Sequence, residues 1–109
     1  MLFFSALQAK AQLPPPCDPG QPPSDNCSDA CIYCDFNGLS SMTSGYTPGS
    51  APGFCGSIEN EQWLGFIAGA GSATFTATPS NCTNGNGIQI ALYADCGSTP
   101  IPNGCNGGS

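Results

Sequence analysis

The chain has 109 residues, with seven acids, one base and no histidine, for a formal net charge of −6. Lys10 is that single base, so no side chain beyond it can pair a phosphate, which excludes nucleic-acid binding by counterion release. The commonest general bases and nucleophile activators are missing for the same reason, so no catalytic residue is assigned.

At the start, Leu2-Phe3-Phe4-Ser5-Ala6-Leu7 is a short apolar run, and Ala9-Lys10-Ala11 supplies an A-x-A cleavage pattern. Residues 1–11 therefore read as a secretory signal peptide whose basic region is incomplete. Its removal leaves Asp18, Asp25, Asp29, Asp35, Glu59, Glu61 and Asp95 without a counter-charge, which keeps a secreted surface soluble and self-repelling. Nothing else approaches the ~18 apolar residues of a membrane helix, so no membrane insertion is expected after cleavage. In an exported chain an even cysteine count reads first as disulfides. Cys17, Cys27, Cys31, Cys34, Cys55, Cys82, Cys96 and Cys105 are all candidates. Such staples help a chain with 15 glycines and 11 prolines, because ordering Gly-rich loops is entropically costly.

Residues 12–26 hold six of the 11 prolines and read as an extended spacer. In 27–56 a cysteine cluster precedes a Gly/Ser/Thr/Pro loop. Phe36, Leu39 and Met42 are spaced by three, which suits one helical turn, while Gly38 and the Ser/Thr run suit a short strand or ordered loop equally. Residues 62–68 place Trp63 and Ile67 on one face and Leu64 and Phe66 on the other, as in a strand inside a sheet. Trp63 is then core rather than a sugar-stacking platform.

After Gly69-Ala70-Gly71, Ala73, Phe75 and Ala77 alternate with Thr74, Thr76 and Thr78. Beyond Thr83-Asn84-Gly85-Asn86-Gly87, Ile88, Ile90 and Leu92 alternate with Gln89, Ala91 and Tyr93. This two-residue period predicts a hairpin of strands 73–79 and 88–94, with Phe75, Ile90 and Leu92 inward and Thr74, Thr76 and Gln89 outward. Residues 100–109 read as loop with no closing strand. A sheet with one apolar face needs a second layer. Since little upstream can supply it, residues 27–109 are expected to be the N-terminal part of a longer β-sandwich module, truncated at the C-terminus.

Cys27-x3-Cys31-x2-Cys34 matches the loop by which radical S-adenosylmethionine enzymes hold an Fe–S cluster on three thiolates. Those enzymes need repeating strand–helix units, which are missing here, and exported thiols oxidise, so disulfides are the preferred reading and no cofactor is expected. Zinc is disfavoured on the same ground. In the predicted hairpin Cys82 and Cys96 lie at opposite ends, about 20 Å apart, too far to bond. Cys96–Cys105 would close an easy short loop, and Cys82 would find its partner beyond the C-terminus. Glu59 and Glu61 share one side of a strand, as half of a Ca²⁺ site or an acid/base pair would, although a solvated edge is the simpler reading. The Asn26-Cys27-Ser28 and Asn81-Cys82-Thr83 glycosylation patterns read as chance.

Four ordered blocks carry a resemblance: Pro52 to Gly56, Ile58 to Ala68, Pro79 to Cys82 and Gly87 to Cys96. Together they resemble an N-terminal module of large secreted and cell-surface proteins of Bacteroidetes, of the type that continues into PKD repeats and a gliding-motility or type IX sorting domain. The pattern W-x-x-F…A-T-F-T…G-I-Q-I-A-L-Y is also similar to bacterial pre-peptidase C-terminal domains. The resemblance covers residues 27–105 and implies an all-β antiparallel sandwich of jelly-roll type without catalytic residues. It further implies a secreted or cell-surface module for adhesion, spacing or substrate targeting, with an extracellular glycan or protein as ligand. The rival reading is a targeting domain appended to a secreted hydrolase. An Fe–S radical enzyme fragment is the remote one.

Overall fold

A computed structural model describes residues 13–69, 71–82 and 88–107. The chain is mostly non-helical. Its regular structure, among the described residues, is a 3-10 turn at Cys27–Asp29 and a two-stranded antiparallel sheet of β1 (Ile90–Tyr93) and β2 (Pro100–Asn106). Three disulfides bind the remaining loops.

The partner of 90–93 is therefore 100–106, not 73–79, which corrects the predicted hairpin. Residues 73–82 form no strand and, apart from half-buried Phe75, are exposed. One large apolar side chain among alanines and threonines buries too little to hold a strand. The predicted turn at 83–87 lies outside the described residues. Residues 100–106 read as loop because Pro100 and Pro102 lack an N–H, and the ladder adapts to that. Ile90 pairs with Asn106 and Ala91 with Cys105, but Tyr93 stands opposite Pro100. A regular ladder would set Tyr93 opposite Asn103, so the extra residues of β2 bulge out. The bulge accommodates Pro102 and holds Asn103 at φ 59°. The expectation that residues 100–109 are loop without a strand is corrected by β2.

The faces of β1 differ from expectation as well. Tyr93 is 2% exposed, whereas Ile88, expected inward, is 45% exposed. Tyr93, Trp63 and Ala30 form the buried core, with Ala91, Ala51, Cys27 and Cys96 against it. Tyr93 wins the inner face because its ring packs on Trp63 at 5.3 Å while its hydroxyl donates to the Pro52 carbonyl at 3.0 Å. A large ring with a satisfied hydroxyl outweighs an isoleucine. Ile90 and Leu92 remain half-buried on the other face.

Trp63 is core at 6% exposure, as expected, but residues 62–68 make isolated bridges rather than a strand inside a sheet, and Ile67 is 46% exposed. Their partners are short. Trp63 exchanges both backbone hydrogen bonds with Ser24, and Gly65 bonds Cys31 and Tyr33 in a parallel bridge to Ile32. Residues two apart on an extended chain present their N–H and C=O to the same edge. Both partners can occupy that edge because the 3-10 turn at Cys27–Asp29 intervenes between them.

The Pro-rich segment is bonded into this arrangement. Pro16 bridges Ile32 in parallel: Cys17 N–H donates to Ile32 O at 2.8 Å, and Ile32 N–H to Pro15 O at 2.9 Å. A parallel bridge draws on the residues flanking Pro16, so the missing proline N–H is never required. The Cys17–Cys31 disulfide, with Cα atoms 4.9 Å apart, lies beside the bridge. Further along, Pro23 O accepts from the Tyr46 hydroxyl at 2.7 Å, and the Asp25 carboxylate accepts from Thr47 N–H and hydroxyl. The predicted spacer thus carries much of the loop bonding. Residues 36–42 form a turn at Asn37–Gly38 and no helix; Phe36 is half-buried and Met42 is 73% exposed.

Candidate functional site: an aromatic cleft

The cysteines pair as Cys17–Cys31, Cys27–Cys96 and Cys55–Cys105, leaving Cys34 and Cys82 free and exposed. The expected Cys96–Cys105 bond is not formed. Cys105 lies opposite Ala91, near the start of β1, whereas Cys96 lies in the connection beyond its end. Two cysteines separated along a ladder cannot bring their Cα atoms within bonding range. Cys82 does not pair with Cys96, as the distance estimate had it, although that estimate assumed the wrong hairpin.

The Fe–S reading is overturned by the same pairs. Cys27 and Cys31 belong to different disulfides, so only Cys34 of the three would offer a thiolate. Glu59 and Glu61 do not converge either. Glu61 is half-buried, its Oε1 accepts from Ala51 N–H at 3.1 Å, and its carboxylate lies directly against Gly49, while Glu59 is exposed. Among the described residues no group of three or more His, Cys, Asp or Glu side chains is placed to hold a metal ion.

What the fold does assemble is a cluster of four rings. Phe36 packs on Tyr33 at 5.6 Å, on Phe66 at 5.7 Å and on Phe75 at 5.6 Å, and Phe66 packs on Phe75 at 4.7 Å. The spacing and tilt suit edge-to-face attraction between rings. They line a cleft of about 220 Å³, with Cys34 and Ser72 on its wall. A second cleft of about 200 Å³ adjoins it, between Phe66 and the Leu92, Ile101 and Asn103 side of the sheet. Phe66, Ala68, Ser72 and Ala73 belong to both.

Among the described residues no charged side chain lines either cleft. The Tyr33 hydroxyl is committed to the Gln21 carbonyl, and burial, with a smaller contribution from Tyr46, pushes the phenol above its ordinary range. Tyr33 therefore presents its ring and not a free hydroxyl. Such a surface can stack on an apolar face and exclude water, and the one thiol on its wall is that of Cys34. Sequence reading missed it because its rings come from three segments, and Phe36 was weighed as part of a helical turn. The available signal was Phe75, a lone large ring in an otherwise small-residue stretch.

Comparison with protein-family models, with curated proteins and with solved structures finds no match.

Proposed function

We propose that the chain is a non-catalytic module of an exported bacterial surface protein, serving adhesion, spacing or substrate targeting, and that the aromatic cleft is its contact surface. The observation that carries this reading is the uncharged four-ring cleft, set on a loop scaffold held by three disulfides. The disulfides are compatible with an extracellular location, since such bonds persist where thiols are not kept reduced. In this reading the two-stranded sheet belongs to an antiparallel sandwich of jelly-roll type, as the resemblance to N-terminal modules of Bacteroidetes surface proteins implies.

The ligand class follows from the lining. Rings whose cleft is lined by uncharged side chains take the apolar face of a sugar or an aliphatic or aromatic protein side chain. Labelled protein should bind members of an array of soluble polysaccharides or of extracellular proteins. A Phe36→Ser, Phe75→Ser double variant that keeps its disulfides should lose at least tenfold in affinity. Retained affinity in the double variant, or no binding on either array, would overturn the assignment.

A further inference from the structure

Two of the eight cysteines, Cys34 and Cys82, stand outside the three disulfides, and both are exposed. They lie on segments that meet at the aromatic cluster. Cys34 lines the cleft between Tyr33 and Phe36, and Phe75, which begins the run to Cys82, packs on Phe36 and Phe66 across it. Cys34 and Phe75 share one cleft of about 220 Å³, so the gap between them is small. The seven residues from Phe75 to Cys82 can span about 23 Å when extended, several times what a return to Cys34 requires.

The intervening segment is free to make that return. Residues 76–82 are exposed, and among the described residues their one hydrogen bond is local, from Cys82 Sγ to the Ser80 carbonyl at 3.9 Å. Asn81, at φ 54°, already turns the chain immediately before Cys82.

We propose that Cys34 and Cys82 form a fourth disulfide that folds residues 76–82 back over the aromatic cleft. The oxidant is a small-molecule disulfide of the glutathione class. One protein thiolate attacks its S–S bond, forming a mixed disulfide and releasing one thiol. The second protein thiolate then attacks the protein sulfur of that mixed disulfide, forming Sγ–Sγ and releasing the other thiol. The protein loses two protons and two electrons, and the oxidant takes them up and leaves as two thiols. The cross-link is a redox-sensitive cover: the reduced form leaves the rings open to a ligand and the oxidised form closes over them.

Thiol counting on the full chain tests this. Protein is treated with oxidised glutathione, quenched in acid, alkylated and weighed intact. Digestion then uses pepsin at low pH, since trypsin finds no Lys or Arg beyond Lys10 and acid suppresses exchange. The expected result is two alkylatable thiols before oxidation and none after, in a monomer, with one peptide pair joining Cys34 to Cys82. The thermal midpoint should rise on the order of 10 °C. Cys34→Ser and Cys82→Ser should each stop at the mixed disulfide, with one glutathione attached and no cross-link, and show no rise. If Cys34→Ser fails to fold, Cys82→Ser on the exposed segment gives the same readout. Two thiols persisting in the oxidised wild type, a disulfide-linked dimer, or Cys34 joined to any other cysteine would overturn the proposal.

Discussion

Trp63 and Tyr93 bear most of the burial in a core with few large side chains. Removing the indole in Trp63→Ala should cost roughly 3–5 kcal/mol, the range for an aromatic ring lost from a packed interior. Trp63→Phe should cost much less. Among the described residues the buried Nε1 has no hydrogen-bond partner, so no polar contact there is lost with it. Urea unfolding of the two variants measures both, and equal losses would show that Nε1 is bonded after all. At the surface, the Asp25 carboxyl is held below its ordinary value of 3.8 by the Thr47 N–H and then its hydroxyl. Asp95 is lowered chiefly by the Ser98 hydroxyl, with the Gly97 N–H next. Because the folded pKa is the lower one, each contributes stability that is present above the unfolded value and lost as pH falls through the folded one. The thermal midpoint should therefore drop below about pH 4. That drop should be smaller in an Asp25→Asn, Asp95→Asn double variant, and melts from pH 3 to 7 would show an unchanged acid slope if these bonds contributed nothing.

Among the elements, β2 is the one whose composition hides it. Two prolines and a glycine in seven residues look like loop, yet Pro100 sits at the strand's first position and Pro102 falls in the bulge, where no ladder N–H is needed. The alternation in 88–94 marked β1 correctly, but periodicity alone cannot say which face is inner. That choice was made by Trp63, a residue distant in sequence, through its contact with Tyr93. The same limit applies to the aromatic cleft: burial of Trp63 was legible from its apolar run, whereas the meeting of Phe36, Phe66 and Phe75 depends on long loops. Residues 15–17 were legible as extended and not as bonded, since composition is silent on partners. Amide exchange should find β1 amides from Ile90 to Tyr93 among the slowest, and those of 76–80 unprotected. Protection of 76–80 matching that of β1 would restore the hairpin that the structure replaces.

Over the whole molecule, the disulfides do what a small core cannot. Cys27–Cys96 and Cys55–Cys105 interleave along the chain, with sequence separations of 69 and 50, so the first third is tied to the last. Chain-entropy reasoning assigns a loop of that length roughly 4 kcal/mol, against roughly 3 for the 14-residue separation of Cys17–Cys31. A Cys27→Ala, Cys96→Ala variant should accordingly unfold at lower urea than Cys17→Ala, Cys31→Ala, and the more so because Cys27 and Cys96 also pack against the core. The reverse order would mean that the Pro15–Ile32 bonding, and not loop closure, dominates. These three pairs are the skeleton on which the aromatic cleft is built. Mapping the disulfides of purified, unreduced protein by acid proteolysis and mass spectrometry tests it most directly. Linked peptides should join Cys17 to Cys31, Cys27 to Cys96 and Cys55 to Cys105, whereas a Cys96–Cys105 peptide, or Cys27, Cys31 and Cys34 all recovered as free thiols, would contradict it.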